Sequence, residues 1–219
     1  MLSPRRMVVG ITGATGTIYG IRLLEVLRSL GVETHLVVSK AGELTRAHET
    51  ELSAAALRAL AHRHYAASDV GAALASGSFR TMGMVIAPCT IRTLSEIASG
   101  VTGSLLTRAA DVTLKERRRL VLLVREFPLH AGHLRSMLAV TEMGGIVAPP
   151  VPAFYTRPQT IGDIVDQTVG RVLDLFDLES ATFPRWGEEV LLSPRVAPAV
   201  QPARRLNGHA AAAAPRALA

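Results

Sequence analysis

Three features of the sequence predict an α/β fold, a Rossmann- or flavodoxin-like three-layer sandwich with a mainly parallel sheet. Short apolar runs rich in Val, Ile and Leu recur along the chain, helical patterns separate them, and a glycine-rich turn joins the first run to the first helix. Runs that are apolar on both alternations suit strands buried on both faces, as in a parallel sheet covered by two helical layers.

In chain order the strand-like runs are 7–12 (MVVGIT), 34–39 (THLVVS), 82–88 (MGMVIAP), 119–126 (RLVLLVRE) and 144–149 (GGIVAP). After the first run, Ile18, Ile21, Leu24 and Leu27 recur at helical spacing, and Gly31 stands where a helix commonly closes on glycine. Further helical patterns cover 41–49, 53–62, 69–76, 90–99, 104–117, 130–143 and 160–177.

The length of 219 residues suits one sizeable core, and we divide the chain into a domain over 1–189 and an Ala/Pro/Arg-rich tail over 190–219 read as disordered. That tail holds four arginines and no acid, so it carries most of the formal charge of +6 and leaves a nearly balanced body. No aromatic stacking platform accompanies those arginines, which argues against a nucleic-acid partner. No apolar stretch approaches the ~20 residues of a membrane span, no signal-type segment opens the chain, and the one cysteine, Cys89, has no partner for a disulfide. The expected compartment is the cytoplasm.

In such a fold ligands gather at the carboxyl ends of the strands. The first of these ends reads TGATG, where Gly13 and Gly16 let backbone amides approach an anion, Thr12 and Thr15 add hydroxyls, and a helix N-terminus follows. Taken alone, the loop suits a nicotinamide reductase, a flavin enzyme or a bare structural turn. The second strand ends in Ser39-Lys40 and lacks the acid that an NAD ribose would want, although Ser and Lys could face a 2′-phosphate. A mononucleotide asks less, and Thr15, Ser39, Thr90 and Thr93 offer it hydroxyls.

A second group of residues is cationic. Arg108 and Lys115 are two turns apart on one predicted helix with Asp111 between them, an arrangement that also suits a solvated ion-pair ladder. Arg125-Glu126 closes an apolar strand at the ligand end, while Tyr155 and Arg171 come from the last loop and helix. Together these side chains suit a second anion held by arginines. No aspartate-rich pair is present to bind magnesium, and His130 and His133 of HAGH lack a third ligand, so we expect no metal and assign the histidines to capping or surface contacts.

The segments GITGATGTIYGIRLL, THLVVSKAGE, MVIAPCTIRTLSEIASG, LLTRAADVTLKERRRLVLLVREFPLHAGHLRSM, PPVPAFYTRPQTIGDIVDQTVGRVLD and PRWGE together resemble the UbiX/Pad-type flavin prenyltransferases, from about residue 7 to 188. TRAADVTLKERR and PAFYTRPQ are the specific blocks. The resemblance implies an FMN-binding subunit that joins a dimethylallyl group from dimethylallyl phosphate to reduced FMN at N5 and C6. The product would serve a UbiD-type decarboxylase, in quinone synthesis or aromatic-acid breakdown. The resemblance also implies a homo-oligomer, a dodecamer, with sites at subunit contacts. By resemblance Gly13, Ala14, Thr15, Ser39, Thr90, Ile91, Arg92, Thr93 and Arg125 contact FMN. Arg108, Lys115, Tyr155 and Arg171 hold the donor phosphate, Glu126 assists proton movement, and Trp186 lines the prenyl pocket. Many members have Ser in place of Thr15, and some have Ser-Thr-Gly in place of Thr90-Ile91-Arg92.

The implied chemistry agrees with the residue types. Cleaving an allylic C–O bond leaves positive charge on carbon and negative charge on phosphate, which fixed Lys and Arg side chains stabilise as a metal would elsewhere. An aromatic face such as Trp186 steadies an allyl cation, and a carboxylate such as Glu126 accepts a proton. Two rival enzymes lack their marks: there is no Pro-x-Met-Asn stretch of the FMN-dependent cysteine decarboxylases and no Tyr-x-x-x-Lys pair of short-chain reductases. A non-catalytic flavin carrier is the third rival, against which Lys115, Glu126 and Arg171 count.

Overall fold

The protein, examined as a computed structural model, is described over residues 5–180 and 183–187; the tail expected over 190–219 lies outside the described residues. Its strands are β1 (Arg6–Ile11), β2 (Glu33–Val38), β3 (Arg63–Tyr65), β4 (Gly83–Cys89), β5 (Arg119–Val124) and β6 (Ile146–Val147). They form one sheet in the order β3-β2-β1-β4-β5-β6, with every neighbouring pair parallel. The helices are α1 (Thr17–Ser29), α2 (Lys40–Glu49), α3 (Ala54–Leu60), α4 (Ile91–Ala98), α5 (Leu105–Lys115), α6 (Ala131–Glu142) and α7 (Ile161–Asp174).

The strand alternation sorts the core into two layers. Met7, Val9 and Ile11 of β1, with Val85, Ala87, Val121 and Leu123, pack against α1, α3 and α7. Val8, Met84, Ile86, Leu120, Leu122 and Val124 face the other way, onto α4, α5 and α6. Burial on both faces is what the unbroken Val/Ile/Leu runs encode. Gly20 lets α1 lie close on the sheet: a Cβ there would come 2.3 Å from the Ala87 carbonyl oxygen and 2.9 Å from Ile11.

The sheet order is the doubly wound one, and winding reverses between β1 and β4. Without the three-residue β3 it would be the five-strand flavodoxin order. Thr12 ties the two strands together at their carboxyl ends, its hydroxyl donating to the Pro88 carbonyl at 2.8 Å and accepting from the Thr90 amide at 2.8 Å. That hydroxyl is therefore consumed inside the fold, and the expectation that it faces an anion is corrected.

Other expectations also change. The helix expected over 69–76 is only a 3-10 turn at Ala73–Ala75, because Gly71 and Gly77 flank a segment that buries one large side chain, Leu74. Polar Arg63-His64-Tyr65 forms the edge strand β3, which has no apolar run to announce it. The fourth strand stops at Val124, so Arg125 and Glu126 lie just beyond it, and the last strand shrinks to Ile146–Val147. Helix α1 ends as expected, with Gly31 at φ 65°.

Candidate active site

A cleft of about 420 Å³ opens at the carboxyl ends of β1, β2 and β4, beside the point where the winding reverses. Three helices begin at its wall. Ser39 caps α2 by accepting from the Gly42 amide at 3.0 Å, and Thr90 caps α4 by accepting from the Thr93 amide at 3.1 Å. Ser104 caps α5 by accepting from the Thr107 amide at 3.2 Å, in a reciprocal capping box. Small hydroxyl residues recur here because each satisfies an otherwise unpaired amide of a first turn. The result is a hollow with three positive dipole ends on its rim. Lys40 and Arg92 add full charges, and Arg92 pairs with Glu96 at 2.8 Å while its side chain stays 87% exposed.

Of the residues expected to contact a flavin, Gly13, Ser39, Thr90, Arg92 and Thr93 line this cleft; Ala14, Thr15, Ile91 and Arg125 do not. The glycine loop has an occupant that sequence reasoning missed. The carboxylate of Glu49, at the end of α2, accepts from the Gly16 amide at 3.0 Å and from the Thr17 amide at 2.9 Å. Burial pushes its pKa up, but hydrogen bonds from the Thr15 hydroxyl and the Thr17 and Gly16 amides prevail and hold it below the usual carboxylate range. Thus a side chain of the protein itself satisfies the first amides of α1. The hint in the sequence is an acid at the last position of a helix, where that helix's own dipole disfavours it.

The remaining candidates fall into separate places. Arg108, in the first turn of α5, pairs with Asp111 at 2.7 Å. Lys115 ends the same helix, about 16 Å along the axis from Ser104 at 1.5 Å per residue. It pairs with Glu116 at 2.6 Å, beside Gly77, so Asp111 does not bridge the two cations and only half of the expected ladder exists. Arg125 and Glu126 are both exposed beyond β5, and Glu126 accepts from the Phe127 amide at 3.2 Å.

A smaller hollow of about 270 Å³ lies between α7 and the loop after β6, with Arg171 on its wall. Nearby, Tyr155 meets Trp186 edge to face, with ring centroids 5.2 Å apart. The structure thus joins Tyr155 with Trp186 and leaves Lys115 at the opposite end of the sheet from the cleft. His130 caps α6, accepting from the Gly132 amide at 3.0 Å, and its ring lies tilted by 32° against that of His133, with centroids 3.5 Å apart. Among the described residues no group of three or more His, Cys, Asp or Glu side chains is placed to hold a metal ion. Nor is any helix among them long and apolar enough to cross a membrane.

Comparison with known proteins adds a family. The Flavoprotein family model matches residues 1–173. The chain is 56% identical over 181 residues to the flavin prenyltransferase UbiX of Thauera aromatica, covering 83% of this chain and 93% of that one. A crystal structure of AnUbiX (PadA1) in complex with FMN and dimethylallyl pyrophosphate is 52% identical, with a TM-score of 0.83 over 84% of this chain and 97% of that one. A dodecameric FMN-dependent UbiX-like decarboxylase from Escherichia coli O157:H7 is 49% identical, with a TM-score of 0.81 over 83% and 98% of the two chains.

Proposed function

This chain belongs to the flavin prenyltransferases of the Flavoprotein family, and from that premise we propose that it transfers a dimethylallyl group from dimethylallyl phosphate to reduced FMN. In this reading the new bonds form at N5 and C6 of the flavin, the product passes to a UbiD-type decarboxylase, and the enzyme works in the cytoplasm without a metal. Residues 1–189 make up the catalytic unit in this reading, with 190–219 outside it. The observation that carries the proposal is the convergence of three capped helix N-termini and two cations on one cleft at the winding reversal. Its size lies in the ~300–1,000 Å³ range of cofactor pockets, and its donors suit the phosphate and hydroxyls of a mononucleotide.

Bound reduced FMN supplies the nucleophilic ring atoms. Ser39, Thr90 and Thr93, with Gly13, Ala14, Thr15, Ile91, Arg92 and Arg125, are assigned to holding and orienting it. Arg108, Lys115, Tyr155 and Arg171 are assigned to the donor phosphate, where fixed cations offset the charge that grows as the C–O bond breaks. Trp186 offers its ring face to the allylic cation, and Glu126 receives the proton released when the ring rearomatises.

Lys115 is remote from the cleft of its own chain, so we place complete sites between copies of a homo-oligomer, in keeping with the dodecameric relative. Exposed Phe127, Leu134, Leu138 and Phe154 supply apolar surface for such contacts.

Incubation with reduced FMN and dimethylallyl phosphate, followed by mass spectrometry of the released flavin, tests the reading. A gain of one C5 unit, undiminished by a strong chelator, supports it. Unchanged FMN points to a carrier, and loss of transfer to the chelator with rescue by magnesium overturns the metal-free assignment.

A further inference from the structure

Asp174, the last residue of α7, has all of its carboxylate contacts directed at two arginines. One oxygen accepts from Arg185 at 2.7 Å, and the other accepts from Arg185 at 2.9 Å and from Arg171 at 2.8 Å. The Arg185 contact is the two-pronged fork that fixes a guanidinium plane in direction as well as in place. Arg185 also lies over the buried Phe183 ring, 5.0 Å from its centroid, so the segment 183–187 is held at two successive points. The next residue is Trp186, which meets Tyr155 edge to face. On its other side Asp174 pairs with Arg171, one turn back along α7, on the wall of the smaller hollow.

We propose that Asp174 is a positioning residue for the donor end of the site: one carboxylate orients Arg171 and, through Arg185, sets the segment that presents Trp186 against Tyr155. The inference rests on the reading of Arg171, Tyr155 and Trp186 as donor-binding residues. Its physical content is coupling. The cation assigned to the phosphate lies on α7 and the aromatic face assigned to the allyl group lies in segment 183–187; Asp174 pairs directly with the first, Arg171, and reaches the second through Arg185, the neighbour of Trp186. The Asp174 carboxyl is held below the usual aspartate range, first by the Arg185 hydrogen bonds and further by the charges of Arg185 and Arg171, against the opposing effect of burial. A plain staple of the C-terminal segment would have no need to contact Arg171.

The test uses Trp186 as its own reporter, because it is the only tryptophan in the chain. Asp174→Asn keeps the shape and removes the charge; Arg185→Gln releases the segment without touching α7. In the full-length protein both should lower Trp186 fluorescence anisotropy and shift its emission to longer wavelength. Both should raise KM for dimethylallyl phosphate about tenfold, the scale of one lost charge-assisted contact, with FMN affinity unchanged. The double variant should match Asp174→Asn alone, because Arg185 acts only through Asp174. Unchanged anisotropy in both variants overturns the proposal, and so does lowered anisotropy with wild-type KM, which would make the pair a staple only. Arg171→Ala and Trp186→Phe are the control for the underlying reading: wild-type KM in both removes the donor assignment itself, and with it the proposal, whatever the fluorescence of Asp174→Asn.

Discussion

At the residue scale the roles proposed for the adjacent pair Arg125 and Glu126 predict that binding and chemistry separate. Arg125→Ala removes a cation assigned to the flavin and should weaken FMN binding, with a charge-assisted contact of about 1.5–3 kcal/mol at stake. Glu126→Gln keeps the shape and loses the proton acceptor, so both ligands should still bind while turnover falls roughly 10²- to 10⁴-fold. Equilibrium FMN titration beside single-turnover absorbance distinguishes the two; wild-type turnover in Glu126→Gln would return that residue to a structural role. Glu49 invites a different experiment. Glu49→Ala leaves the first amides of α1 without their carboxylate and should cost about 1 kcal/mol, read as a fall of about 2–4 °C in melting temperature. Because its pKa is lowered in the fold, its contribution is present above the unfolded value of 4.5 and is lost as pH falls through the folded one. The difference between wild type and Glu49→Ala should therefore shrink in acid. Ser39 and Thr90 were legible because a hydroxyl residue directly after an apolar run is both a cap and a ligand donor. Glu49 was not, since its partners stand 32 and 33 residues earlier and only the folded chain brings them together.

At the element scale, strands with a full apolar run were legible to within two residues at each end, and helices that bury a continuous stripe to within three. The failures share a cause. β3 takes its place by pairing with β2 at the sheet edge, a property that polar Arg63-His64-Tyr65 does not advertise, and the 69–76 segment is shaped by glycines and one anchor, Leu74. What fastens this edge is a polar chain: His35, buried in β2, contacts the Tyr65 hydroxyl at 2.9 Å and Glu33 at 3.1 Å, and Glu33 pairs with Arg6 at 2.9 Å. Phe79 packs edge-on against the His35 ring. Burial, aided by Arg6 and Arg63 and opposed by Glu33, lowers the His35 pKa below 6.5. The unfolded chain therefore takes up a proton near pH 6.5 that the folded chain refuses until lower pH, so stability is full above that value and declines below it. Melting temperatures between pH 7.5 and 5 should fall more steeply for wild type than for His35→Gln; parallel curves would reject the assignment. The opposite layer offers a packing test. Gly20→Val would press α1 off the Ala87 carbonyl and should destabilise by about 1–3 kcal/mol in a denaturant titration, through overpacking.

At the scale of the whole molecule, α5 spans the sheet from the cleft at Ser104 to Lys115 at the far end. In the proposed sites between copies, a protomer lends its lysine to others and borrows theirs, so the defect of one copy is repairable by another. Lys115→Ala spoils what a chain lends, while Thr90→Val spoils what it keeps, so each homogeneous preparation should be nearly inactive. Denatured together in equal amounts and refolded, the two should recover about a quarter of wild-type prenyl transfer, the fraction of clefts that draw an intact rim from one parent and an intact lysine from the other under random assembly. Preparations refolded separately and then mixed should gain nothing until subunits exchange. Equal inactivity in the co-refolded sample, with assembly confirmed by light scattering, would mean that each chain reaches its own cleft with its own lysine. Under that proposal, genetic complementation between two null alleles is a property of one helix's length.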